Sequence, residues 1–538
     1  MRDVLQRLGG YVPAAIALAL PTLFIPTIGS FPSVVDSFIL PRASLVIAGA
    51  CLAIGVALLT PGRTALGALR WPLAAAAAAA VLAFLFSVSW PLSFMGSYTR
   101  YESLPIRLSY LGLLAGTTWV IRTRTAREAV VPAYVFGMAV ASLEAVGQAI
   151  SNVPFRPDGN LGNANLLAAL IAMALPLAVA RGLRMGSFVV AWWLAVPVLG
   201  LGLWASTSRS GVLGALAGCL ALAAFLVSRR FPQRRRLVAG VMAAALAMVG
   251  LLIALITLSP LSRLNDDPPS LRLHLWSDGV RLFLARPLTG WGEDTTGLTF
   301  GGFLSHNYAG LVTFDRIHSG PLDLAVTQGL FGLAALAWVM VVVFNEARRT
   351  GFRDDVAGLA AALVAYTVWV LFNFDWAPAS GAFWVLAGTL WSWIRAGQAD
   401  AASDLELSPA RAGPAWTRSV GALSFVAIAV ALAALPLLAD AWYYEGRPDL
   451  SVRVDPLQSR YHWALGDRLV ARGDPQGGVH ELERAADLGE TAPDLYVDLG
   501  DVDAGLGRIA DARAAYRRAL AVDPYYTPAS RRLAALKG

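Results

Sequence analysis

Residues 161–230 read LGNANLLAALIAMALPLAVARGLRMGSFVVAWWLAVPVLGLGLWASTSRSGVLGALAGCLALAAFLVSRR. Three apolar runs, 161–180, 187–205 and 210–228, follow one another here. Arg181 and Arg184 part the first two, and Thr207-Ser208-Arg209-Ser210 parts the second from the third. A helix needs about 20 residues to cross about 30 Å of hydrocarbon. Each run meets that length, so the stretch predicts consecutive membrane helices. Runs of the same kind lie at 10–29, 43–60, 71–89, 105–121, 128–149, 237–258, 320–345, 356–373, 377–395 and 419–438. The chain is therefore read as all-α, a polytopic membrane bundle of 12–13 transmembrane helices.

Composition agrees. Of 538 residues, 57% are hydrophobic and 15% charged, against about 25% charged in soluble chains. That excludes a disordered protein and a purely soluble enzyme. The net charge of +7 is carried by arginine, Lys537 being the one lysine. In a membrane protein such a balance reports cytoplasmic loops, so it implies no nucleic-acid partner. Cys51 and Cys219 lie inside apolar runs and read as small core residues, not a disulfide or metal site. The first run lacks a small-residue cleavage site and is read as an anchor. With the N-terminus in the cytoplasm, inner segments carry twenty arginines and the outer loops and their flanks five. The positive-inside rule favours that orientation. The long loop 259–319 and the tail after 438 then fall outside the cytoplasm.

The tail, 439–538, turns polar and Ala-rich. Leu465-Gly466 recurs as Leu499-Gly500, Gly473 as Gly507, Arg484-Ala485 as Arg518-Ala519, and Leu499 as Leu533, always 34 residues on. This period, with Asp523-Pro524 closing a unit, resembles the tetratricopeptide repeat, an α-solenoid of stacked helix–turn–helix units. Two units and a partial third are few for independent stability, so the tail is expected to lean on its own first helix or on the membrane domain. Such repeats bind partners and do no chemistry. His462 and His480 are therefore read as surface residues.

Chemistry is sought in the outer loop. After SPLSRLNDDPPS breaks the preceding helix, Leu273, Trp276, Val280 and Phe283 recur at helical spacing and predict an amphipathic helix at the membrane face. Arg209, between two apolar runs, is costly unless paired or wet. Its planar fork matches phosphate oxygens two at a time. Arg272 and Arg316 are further candidates for an anion clamp. His318, beside Asp315 and Arg316, suits proton transfer near neutral pH. Glu144 is an intramembrane acid and a candidate on that ground. Asp266-Asp267 and Glu293-Asp294 are acidic pairs of a solvated loop more than a metal site, and no cofactor is called for.

GSYTRYESL (96–104), DGNLGNANLLAALIAMALPLA (158–178), STSRSGVLGALAG (206–218), LRLHLWSDGVRLFLARPLTGWGED (271–294) and DRIHSGPLDLAVTQGLFG (315–332) occur in this order. Over roughly residues 10–395 the chain resembles the O-antigen ligase/polymerase family of membrane glycosyltransferases, in the branch with C-terminal tetratricopeptide repeats. The resemblance implies a GT-C-like bundle over 1–396, a cytoplasmic linker 397–418, a last membrane helix 419–438 and a repeat domain 439–538. It implies transfer of a glycan from undecaprenyl pyrophosphate to a hydroxyl on a glycolipid, glycan or protein at the outer face of the cytoplasmic membrane. By the same resemblance His318 is the catalytic base. Arg209 and Arg272 match the family's arginines and are expected to hold the pyrophosphate. From the residues themselves Arg316 is read as adding to that clamp, Arg100 as a further phosphate or sugar contact, and Asp315 and Ser319 as support. Two departures stand out: Ser319 occupies a position where the family has Asn, and Glu102-Ser103 follows the Arg100 turn in place of Gly. The reading is an inverting, metal-independent ligase. A repeat-unit polymerase is its alternative within the family, and a transporter the alternative from another class. The repeat tail points to a protein partner or acceptor.

Overall fold

The computed structural model describes residues 7–25, 33–60, 66–184, 186, 188–231, 233, 236, 240, 269–307, 315–353, 355–401 and 414–536. Among them every regular element is a helix. The first nine are α1 Val12–Thr22, α2 Ile39–Leu59, α3 Arg70–Leu85, α4 Trp90–Met95, α5 Leu104–Val120, α6 Arg124–Ile150, α7 Ala164–Gly182, α8 Val189–Ala205 and α9 Arg209–Arg230. The outer segment follows with α10 Pro269–Ala285 and α11 Thr296–Thr299. Then come α12 Gly320–Arg349, α13 Asp355–Val370, α14 Ala377–Ala401, α15 Ala415–Ala429 and α16 Leu435–Tyr444. The tail holds α17 Pro448–Val454, α18 Ser459–Ala471, α19 Pro475–Asp487, α20 Pro493–Gly505, α21 Ile509–Val522 and α22 Thr527–Ala535. The predicted run 237–258, except residue 240, and the Asp266-Asp267 pair lie outside the described residues.

The other twelve apolar runs each coincide with a helix. Seven of these are long and apolar enough to cross a membrane: Ile39–Leu59, Gly67–Leu85, Arg124–Ile150, Ala164–Gly182, Arg209–Arg230, Gly320–Arg349 and Ala415–Tyr444. The 12–13 expected refers to the whole chain, the seven to its described residues. The apolar helices α8 and α13 are shorter, at 17 and 16 residues. The innermost helices are α7, α13 and α14. In α7 Leu167 and Leu170 are fully enclosed, as are Leu386 and Leu390 in α14. One continuous core joins them to α2, α5, α6 and α13. Arg42 is also fully buried there. It donates to the carbonyls of Leu20, Phe38 and Asn160 at 2.7–2.8 Å, so its donors meet backbone oxygens.

Two features fix the outer segment. The helix α12 breaks at Gly329, φ +67°. A Cβ there would strike the Leu288 carbonyl. The turn 287–292 lies along the break in main-chain bonds: Leu330 N to Pro287 O at 2.8 Å, Trp291 N to Val326 O at 2.9 Å and Gly292 N to Thr327 O at 3.0 Å. Gly290 (φ +70°) permits the approach, because a Cβ would meet Thr327 backbone. This is why the PLTGWGED turn needs its glycines.

The predicted amphipathic helix forms as α10, but its buried stripe is Leu275, Asp278, Gly279 and Leu282, while Leu273 and Val280 stay exposed. The expected Leu273/Val280 stripe thus faces outward, because Ile317 and Leu322 claim the Gly279 face.

In the tail, the first helices of successive units begin at Ser459, Pro493 and Thr527, each 34 residues after the last. Their partner helices begin at Pro475 and Ile509 and keep the same spacing. Val479, Leu482, Leu495 and Tyr516 form the core of the tail, and Leu298 of the outer segment packs against it. The tail thus leans on the outer segment rather than standing alone. His480 is exposed. His462 is not the surface residue expected: it is buried, with Nδ1 2.6 Å from Glu481 and Nε2 3.0 Å from the Pro456 carbonyl. The reason is packing against the next helix of its own repeat, which carries Glu481.

Candidate functional site

The turn Phe372–Trp376 joins α13 to α14, and each of its five residues touches a different part of the site. The Phe372 carbonyl accepts from Arg272 Nη1 at 3.0 Å. Asn373 Nδ2 donates to Ser210 Oγ at 2.9 Å, the residue after Arg209. The Phe374 ring meets the His318 imidazole edge to face, centroids 5.2 Å apart. Asp375 accepts from Arg107 Nη1 at 3.0 Å. Trp376 and Phe374 both lie against the Arg100 guanidinium, 4.7 and 5.0 Å from their ring centres. Arg272, His318 and Arg100 are thereby gathered around one turn, which Ser210 ties to the start of α9, where Arg209 stands.

Their local geometry follows from their elements. Arg209 opens α9 behind Ser208, whose Oγ accepts from Gly211 N at 3.3 Å. Arg209 and Arg272 are half-buried. Arg156 braces the loop before them, donating to Thr207 Oγ1 at 3.0 Å and to the Ser206 carbonyl at 2.8 Å. Arg100 Nε lies 2.5 Å from Asp315 Oδ2, with Nη2 3.2 Å from the other oxygen. Burial alone would raise the Asp315 carboxyl. The Arg100 guanidinium, aided by Arg316 and His318, instead holds it below the usual carboxylate range. The Ser319 carbonyl accepts from Asp323 N at 2.7 Å at the start of α12, and Ile317 N donates to Asp323 Oδ1 at 2.8 Å, fixing the backbone on either side of His318.

Arg316 differs from the other arginines. It is 1% exposed and its guanidinium grips Asp294. Burial would lower it, yet Asp294, Asp315 and Asp323 raise it above its ordinary value. A cation so enclosed organises the outer segment; it is not open to a ligand as the clamp expectation required.

Sequence reasoning missed a second charged cluster. Arg107 of α5 pairs with Glu293 at 3.1 Å and Asp375 at 3.0 Å, with Glu102 at 3.8 Å. Glu293 also accepts from Gln328 Nε2 at 2.5 Å. The Glu293-Asp294 pair is thus committed to Arg107 and Arg316. Arg107 and Asp375 close the polar end of a cavity of about 310 Å³ among α3, α5, α12, α13 and α14, whose other wall is apolar, with Leu324, Leu336 and Met340. The detectable signal was Asn373 and Asp375 alternating with aromatics in the gap between two apolar runs. Glu144 stands on the exposed face of α6.

Backbone strain gathers at the same place. Among the described residues, eight other than glycine have left-handed φ. Five of them belong here: Thr99 and Tyr101 around Arg100, Thr207 before Arg209, Asp294 against Arg316, and His318 itself at φ +56°. Such residues cost free energy and cluster where function over-determines the fold.

No curated protein matches the chain. Residues 190–337 match the family model described as O-Antigen ligase, a span that holds Arg209, Arg272, Arg316 and His318 and leaves out Arg100 and the 372–376 turn. The match supports the O-antigen ligase family and, with the apolar helices, a multi-pass membrane protein of glycosyltransferase type.

Proposed function

We propose that the chain transfers a glycan from undecaprenyl pyrophosphate to an acceptor hydroxyl at the outer face of the cytoplasmic membrane. The convergence of Arg272, Arg100 and His318 on the turn Phe372–Trp376, which Ser210 ties to the start of the helix bearing Arg209, carries this reading. Arginines there neutralise the diphosphate as it leaves, without a metal. His318 takes the acceptor proton. The acceptor oxygen forms a bond to the anomeric carbon as the carbon–oxygen bond to diphosphate breaks. The electron pair departs with the diphosphate, and the anomeric centre inverts. The adjoining apolar cavity, polar at its Arg107–Asp375 end, suits the isoprenoid next to its charged head. Asp315, held ionised by Arg100, and Ser319 support the His318 turn. The tail, a 34-residue helical repeat that we read as tetratricopeptide-like, lies with the outer segment outside the cytoplasm and is the surface for a protein partner or acceptor.

The test is incubation of purified protein with a lipid-linked oligosaccharide and an envelope acceptor fraction. Released undecaprenyl pyrophosphate, lost in His318→Ala, is the expected result. Full release by that variant overturns the role of His318. A single added glycan marks a ligase, a ladder of repeat units the polymerase alternative.

A further inference from the structure

Arg100 sits in an unusual turn. Gly96, Thr99 and Tyr101 have φ of +79°, +74° and +56°, and both Arg100 N and Tyr101 N donate to the Ser97 carbonyl, at 3.1 and 3.0 Å. A β-branched threonine in the left-handed region is strained, so something must hold it. On one side Ser97 donates twice to Asp294 Oδ2, at 2.6 Å from N and 3.0 Å from Oγ. On the other side stands the C-terminal part of the chain. Tyr98 Oη donates to Asp440 Oδ1 at 2.6 Å, and its ring packs edge to face on Tyr443 and Tyr461, 6.1 Å from each. Gln458 Nε2 donates to the Gly96 carbonyl at 3.4 Å.

The repeats grip the other half of the site too. A Cβ on Gly301 would land on the carbonyls of Ala521 and Val522, and one on Gly297 would stand 2.9 Å from Thr491. These contacts pin the segment that follows Glu293 and Asp294.

We infer that the C-terminal unit is a positioning element of the transfer site: through Tyr98 and Asp440 it holds the strained turn that presents Arg100 to Asp315. This rests on the function proposed above. Misplacement of a charged group by about 1 Å costs up to about a hundredfold in rate. In full-length protein, Tyr98→Phe keeps the ring and loses the hydroxyl. It is expected to lower the turnover rate about tenfold, and to cause no further loss in an Arg100→Ala background, since the hydroxyl acts through Arg100. Gln458→Ala serves as a second, milder variant with the same pattern. Native-like turnover in Tyr98→Phe, or an equal fold loss with and without Arg100, overturns the inference. Hydrogen exchange of amides 96–102 supplies a readout that needs no activity. Faster exchange in Tyr98→Phe is expected, and unchanged exchange overturns the inference. If wild-type protein releases no diphosphate lipid, the proposed function fails while the exchange result still decides the contact.

Discussion

The phenyl ring of Phe374 stands edge-on to the imidazole of His318 with 5.2 Å between centroids. The same ring lies 5.0 Å from the Arg100 guanidinium. One aromatic thus orients the proposed base and backs a proposed phosphate ligand. Phe374→Leu keeps apolar volume but loses both ring contacts. About a tenfold fall in turnover is expected, the scale of a misoriented general base. Phe374→Tyr should recover most of it. Steady-state release of diphosphate lipid is the measurement, and equal rates for Leu and Tyr would count against an orienting role.

Arg209 tests the clamp. Arg209→Lys keeps the charge and loses the planar fork that takes two oxygens together. Donor affinity should weaken about tenfold, one bidentate pair being worth about 1–3 kcal/mol, and Arg209→Ala should weaken it further. Titration of donor lipid onto detergent-solubilised His318→Ala protein, which cannot turn it over, reads this directly. Unchanged affinity in both variants removes Arg209 from the clamp.

Arg107 is buried among three acidic side chains, Glu293 and Asp375 at 3.1 and 3.0 Å and Glu102 at 3.8 Å. Removing one member of such a cluster leaves uncompensated charge, at about 3–5 kcal/mol. Arg107→Ala should therefore lower the thermal midpoint sharply. Adding Glu293→Gln should restore part of the loss, because the stranded charge is then removed. Additive losses in the double variant would show that the two residues act separately.

Glu102 gives a pH dependence. Burial lifts its carboxyl to about 8, against the pull of Arg107, the Tyr110 hydroxyl and Arg316, with Asp375 adding to the rise. Its ordinary value is 4.5. Between these limits the folded protein keeps a proton that the unfolded chain has lost. This contribution to stability is complete below 4.5 and is lost as pH rises through 8. Glu102→Gln keeps the hydrogen-bonding shape without the titration. Thermal midpoints measured from about pH 5 to about pH 9 should fall more steeply in wild type than in the variant; parallel curves would place the proton elsewhere.

Much of the frame was legible in sequence because hydrocarbon imposes a length and a polarity on each run. The Arg209, Arg272 and His318 motifs stood out in sequence because charge is rare in such surroundings. The turn Phe372–Trp376 was not: its aromatics continue the apolar pattern, and its meaning comes from five partners spread between residues 100 and 318. Arg316 was misjudged for a related reason. Its partner Asp294 lies 22 residues back in a turn whose course depends on the break in α12. His462 likewise hides behind Glu481, on the neighbouring helix of its repeat.

The seam between the turn 287–292 and the break at Gly329 is made of backbone atoms. Its geometry therefore asks for glycine at a few positions and is nearly indifferent to the side chains between them. Related proteins could exchange those side chains while the scaffold under the proposed reacting groups kept its shape.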